Sequence, residues 1–351
     1  MNSIQRTTHP MNNEIKRHRQ GDYSPSAPCS HRLATATLAL AIICPTLALA
    51  QVPPRFYWQS LAGANAVPVI YQNLSGNANP IDPAHVMFTN SSASVEANVL
   101  VVGYAKMLPL FDRTLTLAVL EPVGRISGDV SVAGESFSKD ANGFGDPMLE
   151  VGYNLIGPKA LKSIPDLVRY EPKLSLNVIA DVAFPIGDYD NDQPLNLGQN
   201  RWYGRVGAPI IQQIGPWVPG RRTTLELLPS VWFFSDNNDY VGRRLSTDPI
   251  FQLEAHLTRD LTETLWGSLD STWVTGGKSS IDGVKGDSLN NLGVGFTLGY
   301  QISDNLSVTA GYMATVNDND RGDLQMDGFR ISITYGWHKI VQGSKRLKDE
   351  E

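Results

Sequence analysis

The sequence predicts an all-β fold, a transmembrane antiparallel β-barrel of about twelve strands. Three observations lead there: segments alternating apolar and polar residues, no mature apolar run long enough for a membrane helix, and an export leader that carries away both cysteines. The chain has 351 residues, of which 42% are hydrophobic and only 18% charged. So few charges fall below the usual share for soluble domains, yet the apolar content is too high for a disordered chain.

Residues 1–50 read as a signal peptide. Lys16-Arg-His-Arg19 and Arg32 supply a positive region, Leu33 to Ala50 is mostly apolar, and Ala48-Leu49-Ala50 is a small-residue cleavage signal. The positive region is long, which makes Met11 an alternative start. A membrane anchor is the competing reading, weakened by three Thr and Pro45 within the apolar stretch. Cys44 follows the bulky Ile43, which argues against a lipoprotein site. Cleavage after Ala50 leaves 301 residues without cysteine, with 24 basic residues against 33 acidic. That balance argues against non-specific nucleic-acid binding, and the lack of cysteine leaves no disulfide staples.

Residues 51–65 precede the first strand. Their aromatic cluster, Arg55-Phe-Tyr-Trp58, suits either a lumenal plug or the periplasmic interface, and the interface is the expected place. The strands of the barrel, residues 66–337, follow. They are expected near 66–72, 94–105, 113–122, 144–156, 171–184, 201–213, 222–234, 248–259, 263–275, 289–301, 305–316 and 326–337. The last is the clearest: Phe329, Ile331, Ile333, Tyr335 and Trp337 share one face, and Arg330, Ser332, Thr334 and Gly336 the other. Leu292 to Tyr300, Leu306 to Val316 and Leu174 to Phe184 repeat the pattern.

A soluble sandwich also alternates, but strands of about ten residues with aromatic ends and a Gly/Ser/Thr/Asn-rich polar face favour a barrel with its apolar face in lipid. The connections alternate in length. The longer set, 73–93, 123–143, 185–200, 235–247, 276–288 and 317–325, is expected outside the cell, and the shorter set in the periplasm. Residues 157–170 are long for a periplasmic turn and fit a short helix. A charged tail, residues 338–351, follows Trp337.

The acidic loops, among them Asp188-Tyr-Asp-Asn-Asp192, lack the Gly and Glu of a calcium-binding loop, with Gln193 and Gln199 in those places. His256 lies on a polar face with Gln252, Glu254 and Thr258, but no motif pairs it with a serine, so no catalytic residue, cofactor or metal site is expected. The expected pore lining is Glu150, Lys173, Asp181, Arg201, Arg205, Glu226, Glu254, His256, Asp270 and Arg330. Both signs occur, which suits cross-lumen staples or a selectivity filter. Ile179, Ile211, Leu228, Trp232 and Phe234 fall on the same face. Two explanations stay open for them: apolar contact points for a poorly polar solute, or faces misassigned near bulges. Gly293, Gly295 and Gly299 lie within a strand pattern and point to close lumenal packing rather than a phosphate loop.

Gly143-Phe-Gly-Asp-Pro147, Ala183-Phe-Pro-Ile-Gly-Asp-Tyr-Asp190 and Asn196-Leu-Gly-Gln-Asn200 carry a resemblance. Through them the chain, over roughly residues 60–337, resembles the outer-membrane transporter family of the "MetA-pathway of phenol degradation". The resemblance implies a bacterial outer-membrane barrel that helps small aromatic or hydrophobic compounds across, and no catalytic residues. The charged tail departs from barrels that end at the closing aromatic. Expected partners are outer-membrane lipid and lipopolysaccharide, the barrel-assembly machinery, and such solutes. The alternatives are a structural or adhesive barrel without transport, and a barrel-embedded lipid hydrolase.

Overall fold

The computed structural model describes residues 51–88, 93–316 and 323–340; the expected signal peptide and most of the charged tail lie outside the described residues. In chain order the strands are β1 (Asn65–Gly76), β2 (Ser94–Leu110), β3 (Arg113–Val132), β4 (Glu135–Phe144), β5 (Met148–Ile156), β6 (Leu174–Ala183), β7 (Tyr203–Gly207), β8 (Ile210–Gln213) and β9 (Thr223–Phe234). They continue as β10 (Asn237–Tyr240), β11 (Arg243–Thr247), β12 (Ile250–Asp260), β13 (Leu265–Gly276), β14 (Ser279–Ile281), β15 (Val284–Lys285), β16 (Leu289–Ser303), β17 (Leu306–Thr315) and β18 (Met326–Trp337).

Twelve antiparallel staves close into a ring: β1, β2, β3, β5, β6, β7 with β8, β9, β12, β13, β16, β17 and β18. The seam pairs β18 with β1 from Asn65↔Trp337 to Gly76↔Met326. Closure leaves no long ladder edge facing lipid, the requirement for strands in a bilayer. Each expected strand corresponds to one stave. β7 and β8 are one stave in unbroken register, Gly207↔Ser230 and Ile210↔Leu227. The gap between them holds Ala208, opposite Pro229 on β9, and Pro209, opposite Leu228, and neither proline can donate to the ladder.

Outward side chains are apolar and exposed: Phe296 and Leu269 are 50% and 67% accessible, and Ile331 and Ile333 on β18 are exposed too. The inward neighbours Arg330 and Ser332 are buried. This inverts the soluble pattern, and lipid is the solvent that makes it stable. Tyr104, Trp337, Tyr335 and Tyr300 gather toward the short-turn end, with ring contacts between Tyr104 and Trp337 and between Tyr335 and Trp337. A Phe296→Arg substitution in this belt is expected to cost about 2–4 kcal/mol. Urea titration of the barrel folded into liposomes measures it, and a loss below half of that would contradict a lipid-facing Phe296.

The longer connections share one end, as expected, and carry structure that the alternation did not reveal. β3 runs on past its barrel segment to pair with β4 as a hairpin. β10, β11, β14 and β15 form a separate four-stranded sheet within residues 235–288. At the other end, residues 157–170 hold the expected helix, α1 (Ile164–Val168), with Ser163 as its N-cap and Pro165 in its first turn. Asp112 in the β2–β3 turn pairs with Lys159 and Lys162 there, and the two cations hold its carboxyl below the usual carboxylate range.

Candidate functional site

Nine of the ten residues expected to line the pore are buried. Lys173 is the exception and a correction: it precedes β6, is exposed, and has φ of +47°. The connection after α1 turns left-handed there, which takes Lys173 out of the alternation. Its N–H is held by the Gln213 side chain. Ile179, Ile211, Leu228 and Trp232 are each 4% exposed or less on inward positions, so they are true lumenal contacts and not misassigned faces.

From the level of Trp232 down to the short-turn end the lumen is polar. Arg205 lies between Asp181 at 2.6 Å and Glu254 at 3.0 Å, with Trp232 under its guanidinium. His256 Nδ1 lies 2.8 Å from Asp270, whose other oxygen accepts from Thr297 at 2.6 Å. Ser268 also donates to Asp270 rather than to the imidazole, so this cluster is not the serine–histidine pairing a hydrolase needs. Such inward carboxylates and cations persist only because they are mutually paired and hydrogen-bonded.

Residues 51–60 run into this half, and the expected interfacial location of Arg55 to Trp58 is corrected by their contacts. The Val52 N–H donates to Glu254 at 2.8 Å, and the Arg55 N–H and Trp58 Nε1 both donate to Glu226 at 2.8 Å. Tyr57 donates to Glu150, and Arg330 donates to the Gln51 carbonyl at 2.7 Å. The Arg55 guanidinium meets Asp260 at 2.8 Å and is stacked between Trp58 and Trp266, 4.3 and 4.4 Å from the ring centroids. Trp266 reaches that place because position 299 has no side chain: a Cβ on Gly299 would lie 2.1 Å from the indole. The lumenal glycine of the β16 pattern is therefore a seat for Trp266, and through it for Arg55.

Toward the long-loop end the filling is apolar. Ala84, Val86 and Phe88 of one loop and Leu195 and Leu197 of another join Trp232 in one buried apolar cluster. Two polar clasps hold these loops. Arg201 Nη2 donates to both carboxylate oxygens of Asp82, at 2.9 and 2.7 Å, both groups buried, and its Nη1 donates to Thr247. Asp146 accepts N–H groups from Gly187 at 3.0 Å and Gln199 at 2.8 Å. The Gly187 backbone packs so closely on residue 145 that a Cβ there would lie 2.5 Å from the Gly145 carbonyl carbon. The three sequence motifs at 143–147, 183–190 and 196–200 thus meet at one clasp, and their acidic residues serve largely as backbone acceptors: Asp188 holds the Phe144 N–H and Asp190 that of Asp192.

Two groups outside the membrane strands give this end a pH response. Burial holds the His85 imidazole down at about 4 from 6.5, against the pull of Asp82, and burial pushes the Asp146 carboxyl up from 3.8 to about 6. A released loop binds the His85 proton first as pH falls, so the stability from His85 is lost between 6.5 and about 4. Asp146 acts oppositely: the released loop ionises first, so its contribution declines as pH rises from 3.8 to about 6. Proteolysis within residues 77–88 is expected to quicken from pH 6.5 to 4.5, and His85→Gln to abolish or reverse that trend. A His85→Gln profile matching the wild type would refute it.

With this geometry in view, the comparisons are informative. The family model described as "Putative MetA-pathway of phenol degradation" matches residues 70–333. The chain belongs to this family. Among curated proteins none matches the chain. An outer membrane channel from Pseudomonas putida F1 is similar in structure, with a TM-score of 0.63 at 21% identity, covering 82% of this chain and 99% of that one. At that identity the likeness bears on the fold, an outer-membrane barrel. Weaker likenesses are to the NalP translocator domain of Neisseria meningitidis (TM-score 0.44, 11% identity, 79% and 89% covered) and the AIDA-I transport unit of Escherichia coli (0.42, 11%, 83% and 94%). The phenol-degradation family model begins at residue 70, so it leaves out residues 51–60 and their contacts with the inward carboxylates. Asp260 was legible as the next inward position after Thr258. Asp146 lies in the 143–147 motif, which gave it no role, and no local pattern pointed to Asp82.

Proposed function

We propose that this protein is a bacterial outer-membrane channel for passive uptake of small aromatic or hydrophobic compounds, with residues 51–60 as a resident plug. The observation that carries the reading is the division of the lumen. Its long-loop, extracellular half is lined by apolar side chains from inward loops, and its periplasmic half is polar and closed by the chain's own N-terminal segment. A poorly polar solute gains by entering the first half as it leaves water. The plug is held to the wall by hydrogen bonds, one ion pair and ring stacking, with no covalent cross-link, so it can swing out on its connection to β1 without breaking a covalent bond. Family membership and the channel fold support the same reading. Lipid and lipopolysaccharide around the belt and the barrel-assembly machinery are the partners such a barrel requires.

The filled lumen also suits a structural barrel without transport. Proteoliposome flux separates the two. Phenol-like solutes are expected to enter faster than sugars of similar size, and more so after residues 51–60 are deleted. A purified barrel that passes neither class, with or without the segment, would rule out the channel.

A further inference from the structure

Trp58 is held as a bound ligand is held. Its indole N–H donates to Glu226 at 2.8 Å. The Arg55 guanidinium lies 4.3 Å from its ring centroid and that of Arg222 5.5 Å. The Trp217 ring is 4.9 Å away, and Tyr170 stands edge-on to Trp217 at 5.8 Å. Cations over a ring face and tilted ring pairs are both attractive. Only Arg55 belongs to the same segment as Trp58. The rest is wall: Glu226 on β9, Arg222 just before it, Trp217 in the β8–β9 turn and Tyr170 after α1.

The wall groups are positioned without Trp58. Arg222 is tied to Asp260 at 2.7 Å, Glu226 accepts from Thr224 at 2.9 Å, and Tyr170 joins Leu61 and Leu161 in a small apolar cluster against which Trp217 packs. Taking the indole away therefore leaves a slot with a ring wall, a cation and a buried acceptor. Glu226 is buried, and the three groups that donate to it are neutral: the Trp58 indole, the Thr224 hydroxyl and the Arg55 N–H. A carboxylate in that setting makes strong hydrogen bonds, and a site built around one rejects an analogue that lacks the donor. The cavity beside Glu226 is only about 10 Å³, room for one water at most, so a ring enters only where the indole now sits.

We propose that this slot is a binding site for a small aromatic ring carrying an O–H or N–H donor, and that Trp58 is its internal competitor. The incoming donor replaces the indole N–H on Glu226, and the incoming ring replaces the indole against Trp217 and Arg222. Hydrogen bonds are exchanged one for one, so no buried group is left unpaired. The plug loses one of its ties to the wall in the exchange, so a bound solute and a fully seated plug exclude each other at this position. The inference deepens the channel reading, since it gives the solute a required donor, and it rests on residues 51–60 plugging the lumen.

Equilibrium dialysis of the detergent-solubilised barrel, with the micelle background subtracted, tests it. The ligands are phenol, anisole as a ring without a donor, and cyclohexanol as a donor without a ring face. Trp58→Ala removes the competitor and lies outside the staves, and heat-modifiable gel mobility checks its fold. It should bind phenol at least tenfold more tightly than the wild type does, because no binding-competent fraction is lost to the indole. Its affinity for phenol should also exceed that for anisole or cyclohexanol at least tenfold. Trp58→Phe, which keeps a ring but drops the donor, should fall between wild type and Trp58→Ala. Adding Glu226→Gln to Trp58→Ala should cut the preference for phenol over anisole below threefold. Phenol bound no better by Trp58→Ala than by the wild type, anisole bound as well as phenol, or a preference that survives Glu226→Gln would each overturn the site. These readouts need neither flux nor conductance. A barrel that passes no solute yet shows this binding pattern would defeat the channel reading alone, and a conducting barrel without the pattern would defeat the site alone.

Discussion

Arg55→Ala is expected to raise the open probability of the single channel in planar bilayers by about a hundredfold. Arg55 joins three parts that otherwise do not meet: the N-terminal segment, Asp260 at the end of β12, and Trp266 on β13. Truncating one member of a buried ion pair costs about 3–5 kcal/mol, because the other charge is left behind. Here Asp260 keeps Arg222 at 2.7 Å, so the lower end applies, and about 3 kcal/mol is about a hundredfold in an equilibrium. Trp58→Ala should act in the same direction through Glu226, which would lose one of its N–H donors. The contrast is Arg125→Ala. That pair with Asp140 has the same 2.8 Å spacing, but its side chains are 63% and 52% exposed, and such pairs contribute about 0–1 kcal/mol. If Arg55→Ala conducts like Arg125→Ala, the segment is not what closes the lumen.

The staves were legible because a strand with lipid on one side and packed polar groups on the other must alternate strictly, and Phe329 to Trp337 does so without interruption. The same alternation placed Glu254, His256 and Asp270 inside. It failed at Lys173, where the backbone leaves the strand before the residue is reached. The small sheet of β10, β11, β14 and β15 was invisible because strands of two to five residues hold too few periods to register. The Asp82–Arg201 clasp joins positions 119 apart, and no local pattern encodes such a pair. Arg55 to Trp58 was misplaced for a different reason: an aromatic cluster with one cation satisfies a membrane interface and a stacked lumenal latch equally well. Only the inward carboxylates Glu226 and Asp260, far along the chain, distinguish them.

The second large effect is expected at Arg205, and it is on stability. Arg205 alone separates Asp181 from Glu254, both essentially inaccessible to water. Arg205→Met keeps most of the side-chain volume over Trp232 but removes the charge, leaving two buried carboxylates facing each other. One orphaned partner of a buried pair costs about 3–5 kcal/mol, and here there are two. Urea unfolding in liposomes should therefore show a loss in or above that range. The test of cause is the triple variant Arg205→Met, Asp181→Asn, Glu254→Gln. Replacing a complete buried charge cluster by uncharged groups of similar shape is often neutral, because desolvation had cancelled most of the attraction. The triple variant should recover most of the loss in stability. Its plug, however, should bind less well, because the Val52 N–H would then meet an amide oxygen and not a carboxylate. Stability restored with the channel more open would assign two roles to one cluster: Arg205 neutralises the wall charges, and Glu254 uses its remaining oxygen to hold the plug. Stability lost equally in the single and triple variants would mean that packing over Trp232, and not charge, is what Arg205 contributes.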